Sequence, residues 1–393
     1  MLVVLALLVA TAPIVTDLYL ASLPQMQDAL ATSQAGVQYT LMAFLVGIGV
    51  GQLFWGPVSD RYGRRAPLLI GCSVSTVAAV LAALAPTIGV LIAVRLVQAL
   101  FGAAAVVIAR TIIGDLARGA EAARSMSLMM SIQTAAPMLA PVIGGTLSGH
   151  VSWRVVLGVV AALVLVQLLG AATTIRETLP AAERSVRIEL RPMARLLRVP
   201  AFMGYCLMQA LSFCFLMGYI SNSSFVYQNT LGLPGWSYGL GFAVNALGIM
   251  GGGAAAARLA RRGVAPERML ARALPTMVVA SAGVLLAGLS PHPRLLLIPL
   301  IVGTTAVGFV TGNASALALN RARDAVGVIG AGSALQGGIM FVAGSLVSPL
   351  GGLVHAASAV PMALIMLVSA SLATLACRIT TAAEPVPAIV PAG

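Results

Sequence analysis

Apolar residues in this chain gather into unbroken runs, each of roughly the twenty residues a helix needs to cross a hydrocarbon core. Arginine, glycine and proline collect in the short stretches between them. The runs lack the two-residue alternation of a half-buried strand, and they exceed the alternating segments of about ten residues that build a membrane barrel. In lipid every backbone N–H and C=O must find its partner within the protein, which leaves helices for runs of this kind. Twelve are predicted, over 2–24, 37–59, 67–86, 89–113, 124–148, 153–174, 201–227, 237–259, 268–289, 294–319, 325–353 and 358–378. The first begins at Met1 with no basic stretch ahead of it, so it reads as a span and not as a cleaved leader.

Composition agrees. Of the 393 residues, 59% are apolar and 9% are charged, against about 45–50% and about 25% in soluble domains. One water-soluble fold cannot hide that much apolar surface, which excludes soluble enzymes, nucleic-acid binders and disordered chains. All 23 basic residues are Arg. Without Lys, neither a GxxxxGK[ST] phosphate loop nor a Schiff-base mechanism can be built. The net charge of +12 has a membrane explanation. Nineteen Arg lie in or at the edges of the loops after even-numbered spans or at the end of the last span, and only Arg154 and Arg294 lie at the edges of loops after odd-numbered ones. Basic residues stay on the cytoplasmic side, so both termini are expected in the cytoplasm and no nucleic-acid partner is expected. Cys72, Cys206, Cys214 and Cys377 all fall within apolar runs and are expected to be free and buried. Their spacing fits no zinc pattern, and His150, His292 and His355 are scattered, so no metal site is expected.

The arginine-rich connection 176–200 divides the chain into halves of six spans, 1–175 and 201–380, followed by a tail, 381–393. The halves echo each other at a distance of about 200 residues, the offset between Arg64-Arg65 and Arg261-Arg262 and between Pro141-Val-Ile-Gly144-Gly145 and Pro349-Leu-Gly351-Gly352. The predicted fold class is an all-α membrane protein with twelve transmembrane helices in two pseudo-symmetric six-helix halves.

Charge inside a span is costly and marks function. Asp17 is the one carboxylate placed well inside a run, and Arg95 is an arginine at a matching depth. Counting from the nearer end of each span, Arg95 lies ~9 Å in and Asp17 ~10 Å in, at the helical rise of about 1.5 Å per residue. The two are expected to pair. Burial and a neighbouring cation act in opposite senses on a carboxylate's hold on its proton. The pair can therefore exchange a proton, with Asp17 as carrier and Arg95 as modulator; a static pair that sets helix register is the alternative. A second constellation closes span two, Gly56-Pro-Val-Ser-Asp60-Arg61-Tyr-Gly63-Arg64-Arg65. Gly56 allows close helix packing and Gly63 a sharp turn. Asp60 at the membrane boundary needs a partner, and Asp115, at the end of span four, is a second acceptor for Arg64 or Arg65.

That loop resembles the signature cytoplasmic loop of the major facilitator superfamily. Arg95-Leu-Val-Gln98-Ala-Leu-Phe-Gly102 resembles the family's intramembrane RxxQG pattern, with Ala99 in place of its Gly. The resemblance implies two six-span halves that rock about a central site, and a gating role for Gly56, Asp60, Arg61, Gly63, Arg64, Arg65 and Asp115. Ala136-Pro137-Met-Leu-Ala140-Pro141-Val-Ile-Gly144-Gly145 is similar to the motif of the family's antiporters, which implies export. Thr16-Asp17-Leu-Tyr19-Leu20-Ala-Ser-Leu23-Pro24, Ser152-Trp153-Arg154 and Arg176-Glu177-Thr178-Leu179-Pro180 look like segments of the bicyclomycin- and chloramphenicol-resistance branch. Members of that branch often carry a second Arg before the acid that ends span four; here Gly114 stands there, and Arg110 remains.

Candidate substrate contacts are Tyr19, Tyr39, Arg110, Gln133, Tyr219, Asn222, Asn245 and Gln336, with Met126, Met129 and Met130 as an adaptable apolar surface. A mostly apolar pocket with few polar groups suits small amphipathic compounds. The expected protein is a monomeric, proton-driven antiporter of drugs or antibiotics in a bacterial inner membrane. It would need no cofactor, and its partners would be protons, lipid and a small molecule. A proton-coupled carrier of a sugar or other metabolite is the alternative. No depth gathers the cluster of His, Asp or Cys that an enzyme would need.

Overall fold

The computed structural model describes residues 1–116, 132, 139–184, 191–327, 329–353 and 358–383. The helices are α1 (Leu2–Asp17), α2 (Leu23–Ala29), α3 (Gln34–Tyr62), α4 (Arg65–Ala83), α5 (Ile88–Leu116), α6 (Leu139–Ser148), α7 (Trp153–Thr174), α8 (Arg191–Leu196), α9 (Pro200–Phe225), α10 (Gly235–Arg261), α11 (Pro266–Leu289), α12 (Leu297–Val326), α13 (Ile329–Val347) and α14 (Val360–Ala383). Eleven spans among the described residues are long and apolar enough to cross a membrane. Most of the predicted span 124–148 lies outside the described residues; its last part is α6.

Local chemistry sets several boundaries. α3 starts where Ser33 Oγ accepts the Gly36 N–H at 3.1 Å, a side-chain cap for an otherwise unpaired donor. It stops at Gly63, whose φ of +89° an L side chain rarely adopts. The predicted loop around Arg321 and Arg323 is helical instead. No breaker precedes Gly327, where the left-handed cap ends α12. The first span is interrupted: α1 ends at Asp17, a 3-10 turn covers Leu20–Ser22, and α2 resumes with Pro24 in its first turn.

The two halves repeat one packing scheme. In the first, α3 and α4 pack on α5, α4 packs on α7, and α1 packs on both α5 and α7. In the second, α10 and α11 pack on α12, α11 packs on α14, and α9 packs on both α12 and α14. Glycines make the close crossings possible, because lipid drives helices together through contact and not through hydrophobicity. A Cβ on Gly47 would stand 2.6 Å from the Leu96 carbonyl oxygen, and one on Gly51 2.7 Å from that of Leu100. The equivalent pair, Gly248 and Gly252, lies against Thr305. Trp55 adds a polar tie, its Nε1–H donating to the Leu100 carbonyl at 2.7 Å.

Candidate functional site

A chamber of about 350 Å³ lies between the halves, bordered by α1, α3, α5, α9, α10, α12 and α13. Its walls are aromatic and aliphatic. Tyr219 stacks on Phe242 at 5.6 Å, and Phe213 meets Phe341 edge-on at 5.3 Å. Polar groups are few: Thr16, Asp17, Gln52, Gln209, Asn245 and Thr311, besides the phenol of Tyr219. Asp17 is the only charged side chain among the described residues that line it. Asn245 is held in place, its Nδ2 donating to the Gly241 carbonyl and its Oδ1 accepting from Thr304 Oγ1 at 2.9 Å.

The expected Asp17–Arg95 ion pair does not form in this conformation. No salt bridge joins them within 4.0 Å. The two residues lie at one depth but face different sides of α1. Arg95 does reach α1 at the right level, where Nη2 donates to the Val15 carbonyl at 3.4 Å and the guanidinium lies 4.5 Å from the Tyr19 ring. But Val15 and Asp17 point about 200° apart around a helix. The stripe Val15/Tyr19 faces Arg95, and Ala12/Pro13/Thr16/Asp17 faces the chamber. Arg95 completes its shell with Gln98 Oε1 at 2.9 Å and the Phe44 ring at 4.3 Å.

The sequence-predicted substrate contacts separate. Tyr219 and Asn245 line the chamber. Tyr19 lies behind it, its hydroxyl 3.2 Å from Thr40 Oγ1. Tyr39 is 38% exposed, because it stands about 140° around α3 from the chamber residue Phe44. Arg110, half-buried one turn beyond the lining residue Val106, does not border the chamber. Gln336 is buried behind it, donating to Gln209 and accepting from Ser315 Oγ at 3.3 Å, so Gln209 presents its amide there instead. Gln133, Pro137 and the three Met lie outside the described residues. Sequence reasoning missed Phe44, Gln52, Phe213 and Phe341. Nothing but their one-turn spacing from other lining residues could have flagged them.

Asn222 belongs to a seal at one end of the chamber. The fully buried Gln38 donates to the Ser221 carbonyl at 2.8 Å and to Asn222 Oδ1 at 3.0 Å. Gln34 donates to the same oxygen at 3.3 Å, and Gln228 donates to the Ala21 carbonyl at 3.1 Å. All four bonds cross between the halves. Backbone close approach completes the seal. Gly144 lies on the Leu18 carbonyl, Gly145 on that of Gly235, and Gly352 on the Ala35 N–H and Gln38. Pro141 contributes its carbonyl, which a Cβ on Gly239 would approach to 2.6 Å.

At the opposite end Arg64, nearly buried, donates to Asp115 Oδ2 at 3.0 Å, to Ser59 Oγ at 3.0 Å and to Asp60. The arginine, not Asp60, reaches the neighbouring helix end. Glu177 accepts the backbone N–H of Arg64 at 2.8 Å and of Arg65 at 3.3 Å, and its carboxylate fills the space a Cβ on Gly63 would need. Burial raises the Glu177 pKa, but the N–H groups of Arg64, Leu179 and Arg65 and the Arg184 charge lower it and win, so it sits below its ordinary value. Arg61 stacks on Tyr62 at 5.2 Å, and Arg65 donates to the Ala172 carbonyl at 3.3 Å. A Cβ on Gly56 would meet only Val107 Cγ1, at 3.9 Å. These loop bonds tie the first half to itself and to the connection that follows it, and none reaches the second half.

Comparison with known proteins matches this architecture. The Major Facilitator Superfamily profile covers residues 5–349. The chain is 34% identical over 380 residues to the uncharacterised MFS-type transporter YdgK of Bacillus subtilis, covering 95% of this chain and 93% of the relative. It is 29% identical over 360 residues to the bicyclomycin resistance protein homolog of Haemophilus influenzae, covering 89% and 88%. Its fold superposes on the inward-facing, unoccupied structure of a bacterial homolog of the human lysosomal transporter Spinster with a TM-score of 0.75, at 16% identity over 98% of each chain. A multi-pass transporter similar to members of the bicyclomycin-resistance branch, and not an enzyme, this chain belongs to the major facilitator superfamily.

Proposed function

We propose that this protein exports small amphipathic or apolar compounds in exchange for protons. The observation that carries the reading is the carboxylate of Asp17, the one charged side chain among the described residues that line the aromatic chamber between the halves. A proton and a substrate entering that chamber meet at one acid, and coupling follows from their competition for it. Arg95 acts through α1, holding the Val15 carbonyl and the Tyr19 ring so that Asp17 keeps its direction. The halves 1–175 and 201–380 rock as units about the chamber, and the chamber forms within one chain, so the monomer is the transporting unit. The energy source is the proton gradient, with no cofactor.

The arginine distribution favours cytoplasmic termini in a bacterial inner membrane. The Gln38–Asn222 seal then faces outward, and the conformation is closed to the outside. The Arg64–Asp115 and Glu177 contacts keep the inner ends of the first half together as a gate element. The test is a drug-susceptibility panel in a host stripped of its own pumps, followed by transport in proteoliposomes with an imposed pH gradient. Asp17→Asn is expected to reduce gradient-driven movement to that of protein-free vesicles. Uphill transport retained in that variant would sink the role of Asp17, and transport indifferent to an uncoupler would identify a passive channel.

A further inference from the structure

Phe44 occupies a position that the transport reading does not explain. It is 3% exposed, and its side chain borders the chamber. The Arg95 guanidinium lies 4.3 Å from its ring centroid but is not itself among the chamber's lining residues. Behind Phe44 is a second, small cavity of about 20 Å³, lined by Thr11, Ser75, Gln98 and Gln167 among others. That is room for one water molecule with several polar partners. Gln98 Nε2, buried without a hydrogen-bond partner, supplies one donor. Arg95 Nε, next door, is likewise unpartnered. Ala12, Phe44 and Ile48 line both spaces, so these three side chains are the wall between them. Of the three, Phe44 is the aromatic one, and its ring lies against the guanidinium.

We infer that Phe44 is a positioning residue whose ring keeps the Arg95 cation out of the chamber, so that Asp17 exchanges its proton with no cation as a competing partner. The inference rests on Asp17 as the coupling acid. The charged or titratable groups that face Asp17 are few. Arg95 comes from α5 behind the Phe44 wall, Tyr219 from α9 and Tyr238 from α10, with Tyr227 edge-on to Tyr238 at 5.8 Å. α3 turns Phe44, Leu45 and Ile48 toward the chamber, α12 Val307 and Thr311, and α13 Met340 and Phe341, none of which titrates. Among the described residues, Arg95 is therefore the cation that the loss of this wall could bring to the carboxylate. A cation within about 4–6 Å favours the ionised carboxylate by about 1–3 pH units, which is large against any effect of neutral repacking.

The experiment titrates the protonated-carboxyl infrared band of Asp17 in detergent, identified by its loss in Asp17→Asn. This readout needs no transported substrate. Phe44→Ala is expected to move the midpoint to lower pH by about one unit or more, and Phe44→Leu by less. Phe44→Trp keeps the wild-type midpoint. The double variant Phe44→Ala/Arg95→Gln keeps the midpoint of Arg95→Gln, because no cation remains to intrude. Arg95→Gln alone also releases the Val15 carbonyl, so it serves as the reference for the double variant. A ring that served only packing or substrate contact would alter melting temperature or affinity without an Arg95-dependent shift. An unmoved midpoint in folded Phe44→Ala, or an equal shift when Phe44→Ala is added to Arg95→Gln, overturns the inference. If instead the titration behaves as stated while Asp17→Asn still pumps uphill, the coupling role of Asp17 fails and the shield stands.

Discussion

Asp17 and Glu177 are both carboxylates, and their surroundings give them opposite tasks. Asp17 faces an apolar chamber and has no ion-pair partner among the described residues, which suits the proton exchange proposed for it. Glu177 lies in the connection after α7, and its oxygens accept the N–H groups of Arg64, Arg65, Thr178 and Leu179. Its pKa is depressed in the folded chain, so the sign is that of an ionised group that folding favours. The stabilisation is complete above the ordinary glutamate value of about 4.3 and is lost as pH falls through the lower folded value. Glu177→Gln should cost about 1 kcal/mol at neutral pH and flatten the acid limb of stability. Thermal unfolding of the solubilised protein from neutral to acid pH reads both effects, and an acid limb equally steep in the variant would refute the anchor.

Among the elements, α3 carries the most obligations. It packs on α5 through Gly47 and Gly51, on α13 through Gly49, and it supplies Gln38 to the seal and Phe44 and Gln52 to the chamber. Gly51 is tight on two sides, with Ala103 and the Leu100 carbonyl each within 2.7 Å of an added Cβ. Gly51→Val is therefore expected to cost about 1–3 kcal/mol through overpacking. Gly89 on α5 has nothing within 4 Å of such an atom, so Gly89→Ala should be neutral or slightly stabilising by helix propensity. Melting temperatures of the two variants in one detergent give the comparison, and equal losses would show that the α3–α5 crossing has slack. The same asymmetry is expected at Gly252 on α10, which meets the Thr305 carbonyl in the equivalent crossing.

For the whole molecule, alternating access requires the sealed end to part. Gln38 and Asn222 come from different halves and touch directly. Joining Gln38→Cys to Asn222→Cys with a short thiol-reactive linker should halt turnover, and reduction of a cleavable linker should restore it. Both positions are as buried as the four native cysteines while the seal is closed, so the native cysteines are replaced first and the linker reacts when the seal parts during turnover. Transport that continues in the linked protein would mean that the halves separate elsewhere. Gly144 and Gly145 of the antiporter motif, and Gly351 and Gly352 in the second half, lie at this same seal. Their absent side chains let backbones meet, so the motif builds closure.

Sequence alone determined the spans, because lipid permits only helices for long apolar runs, and a run's length is its transmembrane extent. It also marked Asp17 and the Gly56–Arg65 loop, because charge at membrane depth is too costly to be incidental. Depth was legible too, since rise per residue is constant. Azimuth was not. Whether Arg95 meets the Asp17 carboxylate or the carbonyl of Val15, and whether Asn222 touches a substrate or another helix, depends on how helices distant in sequence rotate against each other. That rotation is set by glycine crossings and shared aromatic walls, and only the assembled halves decide it.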